Sequence, residues 1–240
     1  MSGIFITGTD TDCGKTTISL GLMAAMQQRG LRVNGMKPVA SGCAMTPAGL
    51  RNADARQLLA QSSHRNAYAL VNPYAFAPPI APHLAAIQAG VTIDFVNIIK
   101  AYQTLAATAE VVIVEGVGGW RVPLMPNQCV SDLALALEIP VILVVGFKLG
   151  CLNHALLTAE SIRASGAHLI GWICNQIDPK MQALNANLAT LNELIAAPCL
   201  GVVPWNTAVN AQQIATQLKV ELLTRSIVME PASTGIITCG

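Results

Sequence analysis

Short, unbroken apolar runs alternate with longer segments of helical period along most of the chain. "GIFIT" (3–7), "VVIVE" (111–115), "PVILVVG" (140–146), "LIGWICN" (169–175) and "LGVVP" (200–204) are rich in β-branched residues and lack polar alternation. Such runs predict strands buried on both faces, as in a parallel sheet held between helices. "LRVNGMK" (31–37) is a further strand candidate. Between "GIFIT" and "LRVNGMK", Ile18, Leu22 and Met26 share one face of a helix predicted from Lys15 to Arg29, with Gly30 as its stop. Another helix is predicted to start near Ser131-Asp132, and one near Asn153 that closes before Gly166. The order predicts an α/β fold: a single doubly wound domain with a mostly parallel central sheet, spanning 1–240, with about 230–240 as a loose tail. The stretch 41–110 departs most from this alternation and holds a proline-rich loop, so it is expected to cover a site. Ligands bind beyond the carboxyl ends of such strands. The loops after Thr7, Met36, Val114, Val145, Cys174 and Val203 should therefore gather at one rim.

Composition narrows the picture. Apolar residues make up 52% of the 240 and charged residues 11%, which excludes disorder and raises a membrane reading. The longest stretch free of Lys, Arg, Asp and Glu, from Asn66 to Ile93, contains Pro73, Pro78, Pro79 and Pro82 and so predicts no spanning helix. The N-terminus enters a strand-like run without the basic flank of a signal peptide. The expectation is a soluble, cytoplasmic protein with no membrane partner. A formal charge of +1 without a basic cluster argues against a nucleic-acid surface. Seven cysteines, none paired at zinc-knuckle spacing, read mostly as small core hydrophobes.

The chemistry concentrates at the strand ends. "TGTDTDCGKTT" (7–17) lies between a predicted strand and a predicted helix, where glycines let backbone N–H groups approach phosphate oxygens. Gly8 and Gly14 bracket five residues rather than the usual four, and Asp10 and Asp12 put two acids inside an anion loop. Lys15 would reach the β- and γ-phosphates, and the Thr16 hydroxyl would ligate Mg2+, as in P-loop NTPase-like domains. Glu115, closing a buried strand, is the matching Mg2+ acid, and Gly116, Gly118 and Gly119 let backbone approach a ligand. Lys37 in "MKPVASG" (36–42) reads alone as a solvated lysine, but beside a triphosphate it can neutralise developing charge. Asp54 in "RNADA" (51–55) adds a weak signal, and "NQID" (175–178) resembles a guanine-reading strip with Gln176 in the place of lysine.

Together, "TGTDTDCGKT", "KPVASG", "RNADA", "NPYAF" with "PH" at 82–83, "VEGVGGW", "VILVVGFKLGCLNHALLT" and "VPW" resemble dethiobiotin synthetase in order and spacing from residue 4 to about 206. The resemblance implies an ATP-dependent ring closure. One amine of 7,8-diaminononanoate captures CO2 (from the CO2/bicarbonate pool) as a carbamate, ATP phosphorylates it, and the second amine attacks to form a cyclic urea. It implies that the loop Asp12, Cys13, Gly14, Lys15, Thr16 and Thr17 wraps the ATP phosphates, with Gly116, Val117 and Gly118 alongside. Thr16, Asp54 and Glu115 would hold Mg2+, while Asn175, Gln176, Pro204, Trp205 and Asn206 would border the adenine. Lys15, Lys37, Thr11 and Asp12 are the implied catalytic residues; Ser41, Lys37 and Thr11 would meet the diamine or its carbamate.

A homodimer is implied too, with the substrate carboxylate near Gly150, Cys151 and Asn153 at a helix start. Asp12 would hold an amine or take its proton, and Asp10 would brace the loop through its backbone N–H groups. Cys13 puts a thiol beside the phosphates and suggests sensitivity to oxidation. The rivals are a ParA/MinD-like switch ATPase, an amide-forming synthetase and a GTPase. The first places a lysine where this chain has Asp10.

Overall fold

A computed structural model describes residues 3–205 and 210–223. Six parallel strands form the central sheet: β1 (Gly3–Gly8), β2 (Val33–Met36), β3 (Val111–Glu115), β4 (Val141–Phe147), β5 (Leu169–Gln176) and β6 (Cys199–Val203). Their order across the sheet is β6-β5-β4-β1-β3-β2. β1 is therefore central, with Phe5 beside Val141 on one flank and Val114 on the other. The chain leaves β1 for the far edge, returns through β3, and only then crosses to β4. Each predicted strand is present, and the second narrows from 31–37 to its four central residues.

Why these runs become central strands follows from their two faces. Ile4 and Ile6 point into one core with Ile113, Ile142 and Val144, while Phe5 points into the other with Val112, Val114, Leu143 and Val145. Continuous hydrophobicity is what a strand covered on both sides requires. Helix α1 (Lys15–Gln27) covers the first face with Ile18, Leu22 and Met26, each at most 3% exposed. Burying such a side chain stabilises by about 1.5–3 kcal/mol.

The region 41–110 contains more regular structure than its sequence suggested. Helices α2 (Ala53–Gln61), α3 (Tyr68–Val71), α4 (Pro82–Gln88) and α5 (Phe95–Ala106) lie within it, as does a short ladder of Ala44–Thr46 against Gly49–Arg51, and its Tyr74–Ala75 pairs with Val39–Ala40 just before it. Asn52 and Asp94 cap α2 and α5 through their side chains. Beyond β3 come α6 (Val130–Ala136), α7 (Cys151–Ala164), α8 (Leu184–Leu194) and α9 (Ala211–Ala215). Helix α7 begins two residues before Asn153, at Cys151, because Gly150 takes the left-handed N-cap position. Among the described residues, no helix is long and apolar enough to cross a membrane. The predicted loose tail lies outside the described residues.

Candidate active site

At the end of β1 the backbone enters the left-handed region twice, at Asp12 (φ 61) and Gly14 (φ 90). Aspartate is one of the few side chains that tolerate this conformation. Gly14 is required on two counts: its φ, and the amide of Asn175, which a Cβ would strike. Asn175, buried at the end of β5, donates from Nδ2 to the Cys13 carbonyl at 2.9 Å and pins the turn. Left-handed residues in such a turn bring successive N–H groups toward one point, and α1 adds its positive end there. Lys15, 6% exposed, folds back over the loop and donates to the Asp10 carbonyl at 2.8 Å.

Two expectations about this loop need correction. The Asp10 carboxylate accepts from Lys148 Nζ at 2.5 Å and from Thr9 Oγ1 at 3.1 Å, so it braces the loop through a lysine rather than through backbone N–H groups. That hydrogen bond, with the charge of Asp10, raises the Lys148 pKa. Cys13 is fully buried, so its thiol lacks the exposure that oxidation requires.

A second cluster adjoins the first. Glu115 Oε1 accepts from Thr16 Oγ1 at 2.8 Å and from Lys37 Nζ at 2.5 Å. Lys37 Nζ also donates to Asp54 Oδ2 at 3.1 Å and to the Gly116 carbonyl at 3.3 Å. Burial alone would lower the Lys37 pKa, but the charges of Glu115 and Asp54 outweigh it and the net shift is upward. The sequence read alone suggested a solvated lysine; Lys37 is 4% exposed.

The residues present fit a magnesium ion. Glu115 Oε2 is buried without a hydrogen-bond partner, beside a hydroxyl and a second carboxylate. Among the described residues, no group of three His, Cys, Asp or Glu side chains is placed to hold a metal. A site of two carboxylates and a hydroxyl suits Mg2+, which takes few protein ligands and completes its shell with water and substrate phosphates.

Both clusters open into one cavity of about 720 Å3. Thr11, Asp12, Gly14, Lys15, Thr16 and Thr17 line one side, and Lys37, Ser41, Asp54 and Glu115 another. Val117 and Gly118 also reach it, and the proline-rich loop closes a third side with Pro79 to Pro82. The Ser41 hydroxyl there is buried with no partner.

Other predicted residues lie elsewhere. The "NQID" strip knits its own turn: Gln176 Nε2 donates to the Asp178 carbonyl, its Oε1 accepts from the Trp205 N–H, and Asp178 Oδ1 accepts from the Lys180 N–H. Pro204 and Trp205 follow β6, and Asn206 lies outside the described residues. Gly150, Cys151 and Asn153 do not line the cavity, and the Cys151 N–H is already given to the Lys148 carbonyl at 3.0 Å. Sequence reasoning missed Lys148, 138 positions from its partner Asp10, for which strand-end placement was the only available signal.

A parallel sheet with a glycine-lysine-threonine loop after its central strand defines a P-loop nucleotide-binding fold, and the profile of a family described as an AAA domain matches residues 2–213. The chain is 54% identical over 205 residues to the ATP-dependent dethiobiotin synthetase BioD of Pseudomonas aeruginosa (strain LESB58), covering 85% of this chain and 90% of that protein. It is 49% identical over 215 residues to the protein of the same name from Xanthomonas oryzae pv. oryzae (strain PXO99A), covering 90% and 96%. The chain belongs to the dethiobiotin synthetase family of enzymes. Among solved structures it is similar to the MinC:MinD cell division protein complex of Aquifex aeolicus, with a TM-score of 0.58 and 14% identity over 96% of this chain and 98% of that one. A MinD complexed with Mg-ADP from Pyrococcus horikoshii OT3 gives 0.57 and 14% over 92% and 88%. At that identity these neighbours show the fold alone.

Proposed function

We propose that this chain, as one domain, closes the ureido ring of dethiobiotin from 7,8-diaminononanoate and CO2, with ATP as co-substrate and Mg2+ as cofactor. The observation that carries the reading is the buried Lys37, placed between Asp54 and Glu115 on the wall of the cavity that the phosphate loop also lines. A phosphate loop alone would serve any nucleotide hydrolase. A second buried ammonium facing the same space suits a reaction in which one anion, the carbamate, attacks another.

The residues divide the work. Loop N–H groups and Lys15 orient the β- and γ-phosphates, so the γ-phosphorus faces the carbamate oxygen. Thr16, Asp54 and Glu115 would hold Mg2+, which when bound neutralises charge on the β- and γ-oxygens. Lys37 holds positive charge near the carbamate, and the unpartnered Ser41 hydroxyl hydrogen-bonds it. The carbamate oxygen takes the phosphoryl group and ADP leaves. The second amine then attacks the carbamoyl carbon, phosphate leaves, and the amine's proton goes to Asp12 or water. Pro79, Ile80, Val117 and Val122 offer an apolar wall for the alkyl chain.

In this reading Asn175, whose Nδ2 is committed to the Cys13 carbonyl, would offer its Oδ1 to an exocyclic amine of the base. Adenine carries an amine there and guanine a carbonyl, so the pinned amide favours ATP. Residues 150–153 do not line the cavity of this chain, so the carboxylate-binding role implied for them requires a second copy, and a homodimer is part of the proposal, as is a cytoplasmic location. The pairing of Asp10 with Lys148 weighs against the switch-ATPase reading, because the reversed charge is satisfied within the chain.

The test is phosphate release from Mg-ATP with and without 7,8-diaminononanoate plus bicarbonate, following the cyclic urea by mass. Release that depends on the diamine and matches urea formation one for one is expected. Hydrolysis indifferent to the diamine would reject the proposal.

A further inference from the structure

Lys37 and Asp54 stand on separate elements, yet their charged atoms meet at 3.1 Å. Lys37 follows the edge strand β2, and Asp54 sits in the first turn of α2. Something has to hold the strand end and the helix start in register. The contact between their own side chains cannot, because the Asp54 side chain is 36% exposed.

The segment 68–74 supplies the connection. The Tyr68 hydroxyl accepts from the Asn52 N–H at 2.7 Å, at the N-cap of α2, and donates to Asn72 Oδ1 at 2.8 Å. Asn72 Nδ2 donates to the Lys37 carbonyl at 2.7 Å and to the Tyr74 carbonyl at 3.2 Å. The Lys37 N–H completes the tie by donating to the Val71 carbonyl at 2.8 Å. Direction is forced at every step. A hydroxyl that accepts an amide proton has one hydrogen left to give, and an amide whose nitrogen faces two carbonyls must turn its oxygen to that hydroxyl. Asn72 is 3% exposed, so water cannot replace a lost partner cheaply. The Arg51 guanidinium lies 4.2 Å over the Tyr68 ring and fixes the ring plane.

We propose that Tyr68 and Asn72 are positioning residues that set the Lys37 and Asp54 side chains relative to one another, and through Asp54 tune the affinity of the site for Mg2+ with nucleotide. Neither residue lines the cavity, so their effect is transmitted through the two backbones they tie. The inference rests on the reading of Thr16, Asp54 and Glu115 as the metal ligands. Partners bonded directly to metal ligands change metal affinity or activity by roughly 10- to 100-fold when removed, and a tie that acts through the backbone should fall at the low end of that range.

The test compares ADP binding with and without Mg2+ by calorimetry in the full chain, for the native protein, Tyr68→Phe, Asn72→Asp and Tyr74→Phe. Tyr74→Phe is the control: its hydroxyl accepts from the Asp94 N–H at 2.9 Å and has no link to Lys37 or Asp54. In Tyr68→Phe and Asn72→Asp, the gain in ADP affinity on adding Mg2+ should shrink about tenfold or more, while metal-free ADP affinity stays within about twofold, because the loop is intact. Tyr74→Phe should match the native protein in both. A full Mg2+ gain in Tyr68→Phe, or metal-free and Mg2+-dependent affinities that fall together, would overturn the proposal. Absence of any Mg2+ gain in the native protein would instead reject the metal-site reading on which it rests.

Discussion

Replacing Lys37 with methionine keeps an unbranched side chain, one atom shorter, and deletes the ammonium that faces Glu115. The Glu115 side chain is 0% exposed, and its Oε1 lies 2.5 Å from Lys37 Nζ. At an effective dielectric constant of 20, charges this close attract by about 7 kcal/mol. The desolvation of both groups cancels much of that attraction, so the pair itself is worth far less. Breaking it is a different matter, because one buried carboxylate loses its counter-charge, a change that costs about 3–5 kcal/mol. Asp54 adds little to the deficit, since water reaches its side chain, which is 36% exposed. For a domain of this size each kcal/mol lowers Tm by about 2–4 °C, so a fall of about 6–20 °C is expected in metal-free buffer. Thermal denaturation followed by circular dichroism, with EDTA, measures it. Millimolar Mg2+ should then raise the Tm of the variant more than that of the native protein, because the cation can occupy the charge-starved carboxylates. A variant that melts within about 2 °C of the native protein in EDTA would refute the claim that Lys37 is the counter-ion of Glu115.

Asp12→Asn should keep the left-handed turn, since asparagine tolerates that conformation equally well, so ATP affinity should hold while ring closure falls about 10- to 100-fold; unchanged ring closure would remove Asp12 from the chemistry. Lys148 has a folded pKa raised by Asp10, so its contribution to stability is fully present below the ordinary lysine value of 10.5 and is lost as pH rises through the raised one. The stability gap between the native protein and Lys148→Met should therefore be flat from neutral pH to about 10 and close only beyond, in pH-dependent urea melts. Burial raises the thiol pKa of Cys151, Cys174 and Cys199, so these three should resist a thiolate-directed reagent in the folded protein near pH 8 and react on unfolding; rapid native labelling of Cys174, read by mass spectrometry, would contradict that burial.

How much was legible in the sequence depended on how local the signal was. The six sheet strands could be read because burial on both faces demands unbroken apolar runs, and α1 because Ile18, Leu22 and Met26 repeat at helical spacing. Lys15 and Thr16 could be singled out because a glycine-rich loop between a strand and a helix is a local pattern, and Glu115 because it closes an unbroken apolar run. Lys37 could be placed at a strand end but not buried, since its burial depends on Glu115, 78 positions away, and on a cover of short helices. Those helices carry little period of their own: α3 has four residues and α4 seven. The role of Asn175 as the pin of the phosphate turn has no local signature, since its partner Cys13 lies 162 positions away.

The strand order explains why one carboxylate can serve both halves of the site. β1 and β2 are consecutive in the chain, yet β3 lies between them in the sheet. Thr16, in the first turn of the helix that follows β1, and Lys37, just after β2, thereby lie on either side of the strand that ends in Glu115. Its Oε1 reaches both, at 2.8 and 2.5 Å. Alternation along β3 places Glu115 on the same side as Ile113, whose core includes α1, while Val112 and Val114 face the other core. A slip of one residue in β3 would turn the carboxylate away from α1 and separate the phosphate loop from Lys37. The unbroken apolar run before Glu115 thus fixes the depth and register at which the acid emerges, and the cluster of Thr16, Glu115 and Lys37 depends on that register as much as on the residues themselves.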